Sequence, residues 1–583
     1  MLKRYFQAFV LLAIMGAGLL WLLSREPALT AVFAQAVPGT GTASLAGRVL
    51  DPQGEPVPGA EISLEMAGVA ADFGEEGEHA PSAAESQGDG SFVLDIPPEA
   101  VGELESVAIE ISRPHFESLQ WSVSDEGVAV LNRGDSLRLP DLEITRRVTA
   151  GFWVAALTFA AILILIALEK LHNTMAALLG VAVVLGCSYV GGAVNPDLFI
   201  FDFERALEYV NFEVVFLVMG MMIVIGVIEE TGIFQWLAYQ SYRLSGGRAW
   251  LLVTILMLIT SVASALLDNV TTMLLMTPMT IQIAIALGVN PLSLLIPEVL
   301  ASNIGGISTL IGTPTNILIG SYAGLSFSDF LVNLTPGVLL AQAALTVYVL
   351  VRYRAQFLKR GGGLSESLLQ RLREGGQITR PKELRKAGIV FGFMLVLFVL
   401  GDGIHLVPAV TAILGAVAIV LWATPTIEAM LRVVDWTTLM FFIALFMVVG
   451  AVQEVGLISM IADTISNLVG DSVTVAILVL VWSAAFLSGI IANIPFTAAM
   501  LPVVGFLTRS IPGATGAVLF YALSIGSAMG GNSSLIGASA NMVTAGISER
   551  AGYRITYMEF FKIGMPAMII TVAVGTLWLF IRF

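Results

Sequence analysis

Charge is scarce in this chain: 13% of its 583 residues are Asp, Glu, Lys or Arg, while 56% are apolar. A water-soluble globular protein carries roughly 25% charged residues, so a long chain with half that share calls for a solvent other than water. Cysteine is nearly absent too. The lone Cys187 excludes a disulfide within one chain and a thiolate metal site. The four histidines (His79, His115, His172 and His405) stand far apart and give a His-rich metal centre little support. No G-x-x-x-x-G-K-[ST] loop occurs, so the chain has no P-loop cradle for a nucleotide's phosphates. Basic residues are also short, 29 against 44 acidic ones, which argues against nucleic acid as a partner because its phosphates demand Lys and Arg. Nothing here favours an enzyme, and no resident cofactor is expected.

What is present divides into blocks. Residues 1–36 open with Lys3 and Arg4, run through an apolar stretch from Phe6 to Leu23, and reach Ala34-Gln35-Ala36. That pattern reads as a signal peptide, or as an uncleaved N-terminal anchor of similar length. Either way the following segment is exported. Residues 42–145 carry about twenty Asp and Glu against about four Arg. Short alternating stretches broken by Pro and Gly, such as Ala43–Leu50 and Glu61–Leu64, indicate an antiparallel β-sandwich. The acidic stretch from Phe73 to Gly90 reads as a loose loop. Gly54, Pro56, Gly59 and Ala60 form the turn by which this segment resembles carboxypeptidase regulatory-like, transthyretin-like modules.

From Gly151 onward apolar segments dominate, at about 151–168, 174–190, 213–228, 249–287, 293–320 and 334–352. A second series follows at about 388–400, 408–422, 437–452, 473–508, 516–548 and 561–581. Many of these approach the ~20 residues that cross a bilayer as a helix. Between the series lies a basic break at 353–386, flanked by Arg352 and holding Arg354, Lys359, Arg360 and Arg371 among others. The positive-inside rule puts this linker in the cytoplasm. The protein is therefore expected to be multi-pass in the cell (inner) membrane, with 42–145 periplasmic or extracellular.

The two series match in sequence. Val210-Asn211-Phe212 aligns with Val434-Asp435-Trp436, and the same register carries Gly226 to Gly450, Glu230 to Glu454, Gly232 to Gly456, Asn269 to Asn493 and Pro278 to Pro502. One residue further along, Gly305-Gly306 meets Gly530-Gly531, while Gly312 and Asn316 meet Gly537 and Asn541. A register held over ~100 residues is a duplicated architecture. Repeat 1 spans 150–352 and repeat 2 spans 387–583. With the β domain outside, runs at 151, 174 and 213 bring the chain to the cytoplasm. The segment 249–287, broken near Asp268-Asn269, suits a re-entrant hairpin that returns to its starting side. Two more runs end at the basic linker. Five crossings are an odd number, so the second half must be inverted. Inverted repeats with broken helices are typical of secondary transporters that bind substrate near the midplane.

Four interruptions carry the chemistry. Two are at Leu267–Thr272 and Ala492–Thr497, and two run from Ser302 through Asn316 and from Ser527 through Asn541. Unpaired backbone is not tolerated in hydrocarbon, so each must be buried in protein or line a cavity. Glycines there (Gly305, Gly306, Gly530, Gly531) let a helix unwind. Oxygens from Asn269, Thr271, Ser302, Asn303, Thr313, Thr315 and Asn316 in one half, and from Asn493, Thr497, Asn532, Ser533, Ser534 and Asn541 in the other, make a hard-oxygen setting. It would suit Na⁺ near Asn269/Asn303 and Asn493/Asn532, while half-helix N-termini offer N–H groups to an anion. Small residues also allow close helix packing without any ligand. Asp268, mid-run, is either a cation ligand or proton carrier, or a helix cap; its mate is Ala492. Glu230 and Glu454 are expected at the interface. Glu298 would either line a path or face interfacial water, and Asp402 and His405 belong to a loop.

At these interruptions the chain resembles the ion transporter superfamily, which includes divalent anion:sodium symporters, arsenical pump membrane proteins, NhaD-type antiporters and the melanosomal P protein. Leu267–Thr272 with Thr277-Pro278 and Asn303–Gly306 looks most like the arsenical-pump and P-protein branch. The resemblance implies a scaffold with a moving transport domain, elevator-type alternating access and homodimers. The dicarboxylate branch has Ser-Asn-Thr at both tips, whereas here only Asn269 and Asn493 carry over. Gly312-Thr313-Pro314-Thr315-Asn316 stands where the P-protein branch tends to Gly-Asp-Pro-Pro-Asn. The expected fold is a polytopic α-helical membrane protein, an inverted repeat of five crossings plus a re-entrant hairpin each, with a small N-terminal β-sandwich. The expected function is secondary transport of a small ion or anion coupled to Na⁺ or H⁺. A Na⁺/H⁺ antiporter, a dicarboxylate or citrate symporter, and a membrane sensor using the exported domain are the alternatives.

Overall fold

The structure, a computed structural model, describes residues 43–583 except 53, 67–68, 71–82, 97–100, 102–103, 169, 358–369, 371–372, 424–426, 471 and 515. The signal or anchor segment 1–36 lies outside the described residues. The chain divides into two compact units, the second beginning at Arg146.

In the first unit, β1 (Ser44–Leu50) lies between β5 (Ser91–Asp95) and β8 (Leu137–Glu143). A second sheet runs β3 (Val69–Ala70), β2 (Glu61–Met66), β6 (Val107–Ser112) and β7 (Leu119–Ser122), with β4 (Ala83–Glu85) also paired to β2. One residue in two points inward, and Leu45, Ile62, Leu64, Phe92, Leu94, Ile109 and Ile111 form the core. The turn between β1 and β2 uses Gly54 and Gly59 at φ +80° and +71°, which glycine adopts at little cost. Two expectations are corrected. The sheet is not wholly antiparallel, because β1 and β8 run parallel from Leu45↔Leu137 to Leu50↔Glu143. The end of the acidic stretch is strand β4 and a turn rather than loose loop, because the buried Ser86 hydroxyl donates to Val57 O and accepts from Ala60 N. A short helix, α1 (Asp125–Leu131), covers this core.

The second unit is helical and built twice. The first half runs α2 (Ala150–Ala167), α3 (Asn173–Gly186), α4 (Phe203–Glu208), α5 (Phe212–Glu229), α6 (Ile233–Ser245), α7 (Ala249–Leu266), α8 (Asn269–Leu287), α9 (Leu292–Gly305), α10 (Pro314–Ala323) and α11 (Phe327–Arg352). After α12 (Arg354–Phe357), the second half repeats them in order. It runs α13 (Pro381–Leu400), α14 (Pro408–Ala423), α15 (Ile427–Val433), α16 (Trp436–Glu454), α17 (Leu457–Val469), α18 (Val473–Ser488), α19 (Asn493–Ser510), α20 (Val518–Gly530), α21 (Ser539–Arg550) and α22 (Tyr557–Arg582). Nine helices among the described residues are long and apolar enough to cross a membrane.

Mates begin and end for the same physical reasons. Asn211 and Asp435 cap α5 and α16 with side-chain oxygens. Gly232 and Gly456, at φ +80° and +85°, turn the chain into α6 and α17. Ser326 with Asp329 and Thr556 with Glu559 build capping boxes on α11 and α22. Scanning for apolar runs misses α6 and α17, since amphipathic helices have polar faces. It also starts the second half late: α13 begins at Pro381, and its first turns are charged.

Parity gives the inversion. Between equivalent points of the two halves lie α2, α3, α5, the broken α9–α10 and α11, while the α7–α8 hairpin goes and returns. The count is odd whether or not the hairpin arms span fully. The halves interlock through mates: α3 packs on α16 as α14 packs on α5, and α8 packs on α21 as α19 packs on α10.

Candidate functional site

The hairpin tips come first. After α7 the chain is extended at Leu267, and Asp268 caps α8. Its Oδ1 accepts from Thr271 N at 2.8 Å and its Oδ2 from Thr271 Oγ1 at 2.5 Å. The half-buried Asp268 thus caps a helix, with Thr271 as its partner. The other tip has no such cap, because Ala492 offers no side-chain acceptor to α19. Instead Asn493 N donates to Gly537 O at 3.3 Å.

The broken helices come next. Helix α9 ends at Gly305, and a 3₁₀ turn over Gly306–Ser308 leads to extended backbone before α10 starts at Pro314. Its mate α20 ends at Gly530, turns over Gly531–Ser533 and resumes at Ser539. Glycine is required by close approach here. A Cβ on Gly305 would lie 2.2 Å from Ser261 O, and one on Gly530 would lie 2.5 Å from Ala485 O. Gly306 crosses Gly312, and Gly531 crosses Gly537, just as tightly.

Breaking a helix frees carbonyls, and two mate asparagines collect them. Asn316 Nδ2 donates to Ile307 O at 3.0 Å and Thr309 O at 2.9 Å, with Gly306 O at 3.4 Å. Asn541 Nδ2 donates to Gly531 O at 2.8 Å and Ser534 O at 2.9 Å. Their oxygens face the opposite half. Ser524 Oγ donates to Asn316 Oδ1 at 2.6 Å, and Asn303 Nδ2 donates to Asn541 Oδ1 at 2.9 Å. Asn303 also donates to Asn532 Oδ1 at 2.9 Å and accepts from Asn269 Nδ2 at 2.8 Å. Asn532 Nδ2 reaches back to Leu300 O at 3.2 Å. Five of the six expected asparagines thus form the joint between the halves. Asn493, buried at its tip, makes no side-chain hydrogen bond among the described residues.

The remaining expected residues fall around this joint. Ser302 Oγ donates to Asn269 O at 3.4 Å, and the Thr313 and Thr315 hydroxyls lie 3.2 Å apart. Ser534 Oγ donates to Gly489 O at 2.5 Å and accepts from Gly537 N, while Ser533 is buried beside it. Thr497 is fully buried, and its hydroxyl has no partner among the described residues. Three of the four half-helix N-termini here, those of α10, α19 and α21, have no side-chain cap. Only α8 is capped, by a carboxylate.

Other acidic residues fall in different settings. Glu230 is exposed and pairs with Arg380 at 2.6 Å. Its mate Glu454 is buried in protein instead, where Arg205 reaches it at 3.4 Å and the Tyr209 hydroxyl donates to it. Both partners belong to the other half, so a matched position has acquired a different task. Glu298 faces no water at all, being 0% exposed. Asp402 lies in a 3₁₀ turn and His405 follows it at φ +53°, both exposed in a connection. Ser524 gave no sequence signal, being a lone serine in an apolar run. A cavity of about 550 Å³ opens beside Glu229, Glu230, Gln235 and Leu275, walled in part by Gln377 and Thr379 of the linker.

Residues 163–526 match the citrate transporter family CitMHS. An uncharacterized transporter of Mycobacterium bovis is 35% identical over 431 residues, covering 74% of this chain and 98% of its own. The P protein of Sus scrofa is 33% identical over 513 residues, covering 74% of this chain and 60% of its own. Against the 14% identical Alcanivorax borkumensis YdaH transporter, whose crystal structure is known, the TM-score is 0.47 over 70% of this chain and 98% of that one. An inverted helical repeat closing around broken helices, with the family match over residues 163–526 and the 35% identical mycobacterial transporter, means that the chain belongs to the citrate transporter family and is an integral multi-pass membrane transporter.

Proposed function

We propose that the protein is a secondary active transporter that moves a small ion, best an anion, and draws on a Na⁺ or H⁺ gradient. The observation that carries this reading is the joint of buried amides where two broken helices of opposite halves meet. Three helix N-termini without side-chain caps offer partial positive charge to an anion. The amide, hydroxyl and carbonyl oxygens around Asn269/Asn303 and Asn493/Asn532 suit Na⁺, a hard cation. Asp268 adds a carboxyl group beside the first of these places. The hairpins and broken helices of both halves pack on each other, α8 with α21 and α10 with α19. Such a shared unit could slide against the remaining helices, as elevator-type alternating access requires. A homodimer would give the scaffold a fixed base in the bilayer.

The family description makes citrate the first tracer to try, followed by arsenite, phosphate and sulfate. Purified protein in proteoliposomes is given an inward Na⁺ gradient or an inward proton gradient. Uptake driven by either supports the proposal, and uptake of every tracer indifferent to both sinks the coupling. Asp268→Asn keeps the cap, since Asn and Asp serve equally there, but removes the charge. It is expected to weaken the apparent affinity for the driving cation about tenfold, ~1.4 kcal/mol.

A further inference from the structure

The repeat supplies an internal control for every buried polar side chain. Where one half holds a polar residue and its mate is apolar at the same depth, packing alone does not demand the polarity. Several such positions converge in the first half. Glu298 on α9 is 0% exposed, and Thr260 of α7 donates to its Oε1 at 2.9 Å. Thr280 of α8 faces the same carboxyl without reaching hydrogen-bond geometry. Glu298 Oε2 and the Thr280 hydroxyl are both buried with no partner among the described residues, as is Thr277 on the same helix. The mates of Glu298, Thr260, Thr280 and Thr277 are Leu523, Ala484, Val504 and Leu501. All four are buried where α18, α19 and α20 repeat the packing of α7, α8 and α9. The second half thus fills these four matched positions with hydrocarbon. Gln342 on α11 adds to the pattern, with both amide atoms unpartnered and Val572 as its mate.

No charge balances Glu298. Helix α7 has no ionisable side chain, and α8 has only Asp268 at its cap. The other elements packed on α9 carry Asp329, Tyr348 and Arg352 on α11, Tyr521 on α20, Glu549 and Arg550 on α21, and Tyr557, Glu559, Lys562 and Arg582 on α22. None of these forms an ion pair or hydrogen bond with Glu298 among the described residues. A carboxylate in that setting is an uncompensated charge in an apolar interior, with one oxygen unsolvated. A proton on Oε2 removes the charge and makes that oxygen a donor toward the idle Thr280 hydroxyl. Glu298 also lies about 7.5 Å along α9 from Asn303, at 1.5 Å per residue, close enough for its charge to be felt at the joint.

We infer that Glu298 is a proton-carrying group of the transport cycle. Its carboxylate takes one proton from water on one side of the membrane, and the resulting acid returns that proton to water on the other. The inference rests on the gradient-driven reading above and assigns the proton a residue in the first half alone.

The test uses the purified full chain in lipid. Infrared difference spectra taken as pH is stepped from about 5 to 9 follow the C=O stretch of protonated carboxylic acids, identified by its shift in deuterium oxide. Wild type is expected to show such a band and to lose it as pH rises, while Glu298→Gln and Glu298→Leu both lack it. Glu298→Leu copies Leu523, so it is expected to fold, and an unchanged gel-filtration profile checks this. A band that survives in both variants, or that does not titrate in wild type, overturns the assignment. So does a Glu298→Leu protein that accumulates citrate under a proton gradient as well as wild type. Wild type that moves none of the tracers under either gradient counts against the transport reading instead, and the infrared titration still decides whether Glu298 exchanges a proton.

Discussion

Asn303 donates from Nδ2 to Oδ1 of Asn532 at 2.9 Å, and the two residues are not repeat mates. Asn303 corresponds to Ala528, and Asn532 to Ile307. The symmetry of the fold is therefore broken at the point where its halves are tied together. Asn316 and Asn541 keep the symmetric task of holding the freed carbonyls, and that task leaves each one oxygen to offer across the joint. What meets that oxygen differs: Ser524 on one side and Asn303 on the other. A carrier with two chemically unequal halves has the means to hold two different ions.

Asn303 is the hub, so its truncation is expected to be costly. Asn303→Ala removes the bonds to Asn269, Asn532 and Asn541 at once and orphans polar atoms in a dry interior. Side-chain hydrogen bonds inside membrane proteins are worth roughly 0.6–2 kcal/mol each, so a loss of about 2–4 kcal/mol is expected. Thermal unfolding in detergent measures it. A melting temperature equal to wild type would mean that the halves do not depend on this joint.

The glycines at the breaks invite a paired comparison. Gly305→Ala must push Ser261 O away, and Gly530→Ala must push Ala485 O. Neither neighbour is a flexible side-chain end. Overpacking of this kind costs about 1–3 kcal/mol, and both variants are expected to unfold earlier than wild type. Gly388 on α13 has nothing within 4 Å of an added Cβ. Gly388→Ala should then be neutral or more stable by up to about 1 kcal/mol, through helix propensity.

Glu454 and Glu230 separate burial from sequence match. Glu454→Gln takes the charge from a buried acceptor of Arg205 and Tyr209, at an expected cost of about 1–3 kcal/mol. Glu230→Gln breaks a pair whose side chains are more than half exposed, and surface pairs contribute about 0–1 kcal/mol. Melting temperatures of the two variants, recorded in one buffer, check the order. The reverse order would show that the linker contact at Glu230 matters more than the clamp between the halves.

The breaks and tips were legible because their signal is local. Gly, Asn, Ser and Thr clustered inside apolar runs, at matched places in two copies, can only unwind a helix or crowd it. Asp268 as an N-cap was legible as one of two alternatives, since Thr271 stands where a cap's partner belongs. Which amide meets which was not legible, because Asn303 and Asn532 meet through the crossing of the halves and no repeat register pairs them. The partners of Glu454 were not legible for a related reason: its register matched Glu230, but Arg205 and Tyr209 come from α4 and its C-cap in the opposite half. The parallel pairing of β1 with β8 likewise joins the first and last strands of the domain, which alternation within either strand cannot reveal.

Asn269 and Asn493, mates at the two hairpin tips, should divide bracing from binding. Asn269 gives its amide to Asn303 at 2.8 Å, whereas the position that would serve Asn493 in the same way is Ala528, which has no polar side chain. Asn493 is nevertheless buried as a residue, and its side-chain amide makes no hydrogen bond among the described residues, so its oxygen and nitrogen are left for another partner. A transported ion would satisfy it. Asn269→Ala is therefore expected to lower stability by about 1–2 kcal/mol and to reduce uptake largely through that loss. Asn493→Ala should leave the melting temperature near wild type or raise it, while the apparent affinity for the tracer falls about tenfold, ~1.4 kcal/mol. Proteoliposome uptake over a range of tracer concentrations, with melting curves on the same preparations, separates the two effects. If Asn493→Ala melted earlier and took up tracer with unaltered affinity, its amide would be a brace and the ligand would have to be sought on the first half of the joint.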